Sequence, residues 1–188
     1  MEKKQIWKPG NMLYPVPVVM VSCGNREGKK NIITIAWAGT VCSDPAMVSI
    51  SVRPERYSYD MIRDTKEFVI NLTTKELAYA TDWCGVKSGR EVDKFEAMGL
   101  TAVPGHVLKY APIIEESPLN LECRVEQVLE LGSHHMFLAR VEDVIISEKY
   151  MNETGKFELN HTGLVTYSHG EYFVLGEKLG KFGYSVKK

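Results

Sequence analysis

No charge of either sign predominates in this 188-residue chain: 23 Lys and Arg stand against 24 Asp and Glu, for a formal net charge of −1. A dedicated nucleic-acid binder carries a basic excess, so only a local basic cluster is left to hold an anion. Long apolar runs are also missing. The run Val16–Val21 is interrupted by proline, with Pro15 and Pro17 at its start, and falls far short of the ~20 residues of a spanning helix. Cys23-Gly24-Asn25 after it is no small-x-small cleavage site, so no signal peptide is read there and a cytoplasmic protein without a membrane partner is expected. The four cysteines, Cys23, Cys42, Cys84 and Cys123, form no CxxC pair; free thiols are expected, and no metal site. There is no GxSxG, HExxH, Walker A or GxGxxG motif, which removes the commonest hydrolase and nucleotide fingerprints. Repeats, low-complexity runs and Gly/Ser/Pro linkers are absent too. At 44% hydrophobic and 25% charged residues, the composition is that of an ordinary globular chain, read as a single domain over 1–188.

What is present is a series of short β patterns around a helical insertion. Val16–Cys23 is β-branched and apolar, Gly24–Lys30 is turn chemistry, and Asn31–Trp37 resumes as a strand, so the two predict a hairpin. Asp44-Pro45 marks a turn, and Met47–Val52 alternates with period 2. Ser58 is placed as the N-cap of a short helix, before a strand over Glu67–Leu72. Thr73 and Glu76 have the spacing of a capping box for a helix running to about Asp82. A second helix spans Val92–Met98, with Gly99 in the position of a C-terminal glycine. Strands follow from Leu121, with a bulge expected at Gln127-Val128, then over Met136–Ile146, and as a hairpin over Leu164–Tyr167 and Glu171–Leu175. Many short antiparallel strands with a modest helical insertion point to a mainly β protein closed into a barrel, which also disposes of edges.

Three stretches carry candidate chemistry. Arg53 and Arg56 precede Ser58, and two guanidiniums, a hydroxyl and a helix start suit a phosphate; a solvated surface turn fits the same residues. Thr34–Thr40 (TIAWAGT) mixes small side chains, hydroxyls and an indole, as a planar ligand lying close to backbone would need, or as a tightly packed strand would. Ser88–Phe95 (SGREVDKF) offers a hydroxyl and a cation at a loop-to-helix transition, or a solvated loop. His134 and His135 are adjacent, so on a strand they face opposite ways and do not chelate one metal.

The order of PVPVVMVSC, KKNIITIAWAGTVCSDPAMVSISVRPERYSYDMI, EFVINLTTKELAYATDWCG, KSGREVDKFEAMGLT and LNLECRVEQVLELGSHHMFLARVEDV, over about Tyr14–Gly183, resembles the flavin reductase-like, FMN-binding split-barrel family, its flavoredoxin branch above all. The resemblance implies a six-stranded split barrel with a helical insertion, a homodimer, and FMN near the dimer interface. It implies that Thr34, Ala36, Trp37, Ala38 and Thr40 line the flavin ring with Cys42 close by. Ser51, Arg53, Ser58 and Tyr59 would lie around the ribityl-phosphate end, where the Arg53/Arg56/Ser58 cluster already suits a phosphate. Ser88 and Lys94 match the family's SG-x-x-x-DKF pattern facing the cofactor. His134 matches the histidine beside the nicotinamide-facing side of the flavin, away from the phosphate, although Ser133 stands where the family commonly has Asp. The implied activity is electron transfer from NAD(P)H through FMN to a flavin, an iron complex or a protein acceptor. A non-enzymatic FMN electron carrier reduced by a partner protein is the main alternative, and a split barrel holding haem or a deazaflavin a more distant one.

Overall fold

The computed structural model describes residues 3–186. Its main element is a seven-stranded antiparallel sheet formed by β2 (Val19–Gly24), β3 (Lys30–Ile35), β4 (Ala38–Ser43), β5 (Ala46–Val52), β6 (Glu67–Leu72), β9 (Leu119–Leu131) and β10 (His134–Ile146), in the order β3-β2-β6-β9-β10-β5-β4. Val16–Pro17 (β1), Val165–Ser168 (β11) and Glu171–Val174 (β12) make a small second sheet, and Ala102–Val103 (β7) pairs with Ile113–Ile114 (β8).

One apolar core gathers Val21 and Cys23 of β2, Ile35 of β3, Ile50 and Val52 of β5, Phe68 of β6, Val125 of β9 and Phe137 of β10. Strands near opposite ends of the sheet order share it, so the sheet is rolled into a barrel, split where β3 and β4 make no ladder. Helix α1 (Tyr57–Thr65) plugs one side with Tyr59, Met61 and Ile62. The outer face of β2 and β3 is covered by α2 (Ala78–Val86) and α3 (Lys94–Met98), where Met20 and Ile32 meet Leu77, Cys84 and Phe95. Alternate residues of β2 therefore enter two cores, which is why Val19–Val21 is an unbroken apolar run, with Ser22 buried through its hydrogen bonds.

Several sequence expectations need correction. Ser58 does not cap α1: Arg56 occupies that position with extended backbone, and Ser58, two residues on, is buried within the first turn. Thr73 and Glu76 do not open α2, which starts only at Ala78. Val165 N bonds Thr73 O, Lys75 N bonds Gly163 O, and Thr74 bridges to Leu164. That distant segment takes the backbone groups an earlier helix start would use. The β9 bulge falls at Glu126, skipped between the pairs Gln127↔Leu138 and Val125↔Ala139, one residue before the expected place. The sheet has seven strands where six were expected, and β4 is the one read only as a small-residue stretch. The hairpins β2–β3, β9–β10 and β11–β12 follow the expected turns. His169 and Gly170 in the last turn have φ of 49° and 97°, as a tight hairpin connection requires. Gly99 ends α3 in the left-handed region, and Asp93 caps its start by accepting from Phe95 N and Glu96 N.

Candidate functional site

A polar cavity of about 200 Å³ lies where β3, the start of α1 and the α2–α3 loop converge. Arg56 and Ser58 reach it from α1, Ser88 and Arg90 from the loop, Lys94 from α3 and Asn31 from β3. The buried amide of Asn31 donates to Ser58 Oγ at 2.8 Å, tying strand to helix. Buried Lys94 donates to Ile32 O at 2.7 Å and Cys84 O at 2.6 Å. An ammonium has three donors, so one N–H is left for the cavity. Burial, with Arg56 adding to it, pulls the Lys94 pKa below the usual lysine range. Gly89 forms part of the wall, and a Cβ there would meet Asn31 Oδ1 at 2.0 Å. Hydroxyls and cations around so small a cavity form a donor set fit for a phosphate or another oxyanion.

β3 leads from this cavity to a second depression of about 400 Å³, lined by Ala36, Trp37, Ala38, Ser51, Met136 and the arm residues Met12 and Leu13. From Asn31 to Trp37 the strand rises about 20 Å. Ser51 N donates to Trp37 O at 2.9 Å, fixing the bend at which β3 passes into β4. Tyr14 lies 6.0 Å from the Trp37 ring, and Tyr167 and His169 lie 6.1 and 5.9 Å from Tyr14. The result is a half-buried aromatic and small-residue surface at one end and a cationic pocket at the other.

The candidate residues divide accordingly. Ala36, Trp37, Ala38 and Ser51 meet at the apolar depression, and Arg56, Ser58, Ser88 and Lys94 at the polar cavity. Thr34, half-buried on β3, spends its hydroxyl on Thr81 O. Thr40 is exposed on β4 and lines neither depression. Cys42, placed close to the ring by the resemblance, is half-exposed on β4 with Sγ 3.4 Å from Asp44 O and lines neither depression. Arg53 is exposed and pairs with Glu55 at 3.5 Å. Tyr59 points into the barrel core, where its hydroxyl meets His135 Nδ1 at 2.7 Å and its ring packs edge-on against Phe137. His134 Nδ1 pairs with Ser133 Oγ at 2.9 Å. Partial burial and then the charges of Arg53 and Arg56 lower its pKa, against Glu55. His134 thus lies within electrostatic reach of Arg53, Glu55 and Arg56.

Asn31, Gly89, Arg90, Tyr14 and Tyr167 were not singled out in the sequence. A lone amide in a buried strand, and a glycine directly after Ser88, were the signals available for the first two. Arg90 follows Gly89 within the Ser88–Phe95 stretch, whereas Tyr14 and Tyr167 belong to segments distant in the chain that only folding brings together.

Residues 11–176 match the family model described as flavin reductase like domain. The flavoredoxin of Desulfovibrio vulgaris (Miyazaki F) is 30% identical, with a TM-score of 0.90 over 98% of this chain and 100% of that one. The flavoredoxin of Methanosarcina acetivorans is 29% identical, with a TM-score of 0.87 over the same shares. An NADH-dependent FMN reductase of Streptomyces nodosus subsp. asukaensis is 26% identical over 157 residues, 82% of this chain and 79% of that protein.

Proposed function

The chain belongs to the flavin reductase-like family, and from that premise we propose that it is an FMN-binding oxidoreductase moving electrons from NAD(P)H through FMN to a flavin, iron or protein acceptor. The observation that carries this reading is the pairing of a cationic, hydroxyl-rich cavity with an aromatic, small-residue depression along one strand. The residues present fit FMN. Arg56, Ser58, Ser88 and the free N–H of Lys94 would hold the phosphate, and Ala36, Trp37, Ala38 and Ser51 would border the ring. When bound, the flavin supplies the two-electron redox chemistry that no side chain here provides. The protein's part is to fix both ends, keep water from the apolar side and admit a donor. Ser133 holds the His134 imidazole by Nδ1, leaving Nε2 to orient an incoming nicotinamide.

Arg56→Ala is expected to weaken FMN binding about ten-fold or more and riboflavin binding far less, since a charged hydrogen bond is worth ~1.5–3 kcal/mol. Fluorescence titration decides, and equal losses for the two flavins would take Arg56 out of a phosphate site. Stopped-flow mixing of the FMN-loaded protein with NADH and NADPH tests the reductase activity, with flavin bleaching as the expected result. No reduction by either would favour the second reading, an FMN electron carrier reduced by a protein partner. That reading draws on Ser133, which gives His134 no anionic support, and on the flavoredoxin likeness.

The same reading makes the protein a homodimer. Residues 3–13 and 175–186 are exposed arms outside the barrel, with Ile6 102% and Phe182 106% exposed. Such side chains call for a cover, and Met12 and Leu13 of one arm border the depression assigned to the ring.

A further inference from the structure

Four aromatic rings lead away from the apolar depression in consecutive contact. Trp37 borders the depression. The Tyr14 ring lies 6.0 Å from Trp37, Tyr167 lies 6.1 Å from Tyr14, and Tyr172 lies 5.6 Å from Tyr167. Each step falls in the ~4.5–7 Å range of touching rings. The small sheet sets the order. Tyr167 of β11 stands directly opposite Tyr172 of β12, so their side chains share one face. On its other side Tyr167 pairs with Val16 of β1, and Tyr14, two residues before Val16, packs against both Tyr167 and Trp37. The row ends at α2, where the Tyr172 hydroxyl donates to Asp82 Oδ1 at 2.9 Å.

Core packing does not account for this row. All four rings are half-buried, and none of them belongs to the three apolar cores. Indole and phenol are among the side chains most readily oxidised by one electron. Tunnelling decays exponentially with distance, so an electron crosses several short steps between such rings faster than one long gap. A phenol yields its electron most easily when a base takes its proton, and only the outermost ring of the row is hydrogen-bonded to a carboxylate. Burial, and then Asp82, push the Tyr172 pKa up, so the phenol keeps its proton until it is oxidised. β12 is an edge strand of the small sheet and Asp82 is exposed, so the row runs from the ring depression to the surface.

We infer that Trp37, Tyr14, Tyr167 and Tyr172 form a redox chain that carries one-electron oxidising equivalents from the ring depression to the surface, where Asp82 takes the proton. The inference rests on the flavin reading, because the oxidant is a photoexcited flavin in that depression. Trp37 gives one electron to it. Tyr14 and then Tyr167 pass an electron inward to refill Trp37, and Tyr172 supplies the last one. The Tyr172 O–H bond breaks and its proton goes to the Asp82 carboxylate. One electron thus ends on the flavin, one proton on Asp82, and a neutral radical on Tyr172. A soluble thiol restores the phenol by giving it a hydrogen atom.

The FMN-loaded full-length protein is excited with a pulse of blue light and followed by transient absorption, with electron paramagnetic resonance of samples frozen under illumination. The wild type should show a tyrosyl radical. Tyr14→Phe should show a tryptophan radical in its place, lost as the electron returns. Asp82→Asn and Tyr172→Phe should shorten the life of the tyrosyl signal about 10²-fold, the lower end of what a positioned base contributes. Tyr167→Phe, a break that leaves the ring depression intact, should shorten it too. Tyr79→Phe, on the same helix but outside the row, is the control and should keep the wild-type lifetime. FMN stoichiometry and Tm of each variant check that it has folded. No tyrosyl signal in the wild type, a full signal in Tyr14→Phe, or a wild-type lifetime in Asp82→Asn would each overturn the chain while FMN binding stands. Failure of the wild type to bind FMN would overturn the flavin reading, and the inference with it.

Discussion

At position 89 the backbone does what a side chain would prevent. Asn31 Oδ1 and the Tyr57 ring occupy the space a Cβ needs, and both belong to the polar cavity. Gly89→Ala should push Asn31 or Tyr57 aside and loosen the Asn31–Ser58 hydrogen bond. FMN affinity is expected to fall about ten-fold or more, with a loss of roughly 1–3 kcal/mol in stability from overpacking. Calorimetry on the apo and FMN-loaded forms would show it, and an unchanged FMN affinity would place the flavin elsewhere. His134 carries a pH prediction. Burial and the neighbouring arginines lower its pKa, so the ring is neutral at pH 7. Protonation is then disfavoured in the folded state, and this group's contribution to stability falls as pH drops below about 6.5. Flavin reduction should be insensitive to this group between pH 7 and 8 and change only below that point. Ser133→Asp, an anion beside Nδ1, should move the inflection upward. A stopped-flow pH profile of both proteins decides, and an unmoved inflection would remove His134 from the rate.

At the scale of elements, the site depends on joints between strands and the segments laid over them. Asn71 of β6 is the busiest of these. Its amide donates to Met20 O and Ser22 Oγ, both at 2.9 Å, and its carbonyl oxygen accepts from Ile114 N at 3.0 Å and Asn120 Nδ2 at 2.8 Å. The residue is fully buried, so truncation leaves several polar groups without partners. Asn71→Ala should cost about 2–4 kcal/mol, or roughly 5–15 °C in Tm for a chain of this length. Scanning calorimetry measures it, and a shift under 2 °C would show that water replaces the amide. Nearby, Glu67 and Glu122 hold the segment before β8 by accepting from Lys109 N, Tyr110 N, His106 N and Val107 N. The sequence showed two acids in strands; burial turned them into backbone anchors.

For the whole molecule, the unpacked arms set the expectation. Leu13, Leu179 and Phe182 are 87%, 87% and 106% exposed, and apolar residues grouped this way mark an interaction surface. Light scattering of the FMN-loaded protein should give twice the 21.2 kDa chain mass. Removing residues 1–13 should weaken both dimer and FMN binding, because Met12 and Leu13 border the ring depression. A chain-sized particle at micromolar concentration would rule out the dimer.

The sequence by itself determined what depends on neighbours in the chain. Alternation, turn residues and the C-terminal Gly99 placed β5, β6, the tight hairpins and α3, because those signals act over a few residues. The local run from Arg53 to Ser58 suggested an anion site or a solvated turn, and the small residues around Trp37 a surface for a flat ligand or a tightly packed strand. Tertiary structure decided which of these residues are available to a ligand. It drew the Tyr59 hydroxyl into the core against His135, committed Thr34 to Thr81, and occupied two of the three Lys94 donors. It moved the start of α2 to Ala78 because the 163–165 segment claims the backbone before it. It also brought Asn31, Arg56, Ser88 and Arg90 around one cavity. Where a buried polar group finds its partner is settled by which distant segment fills the space beside it, and no local pattern encodes that.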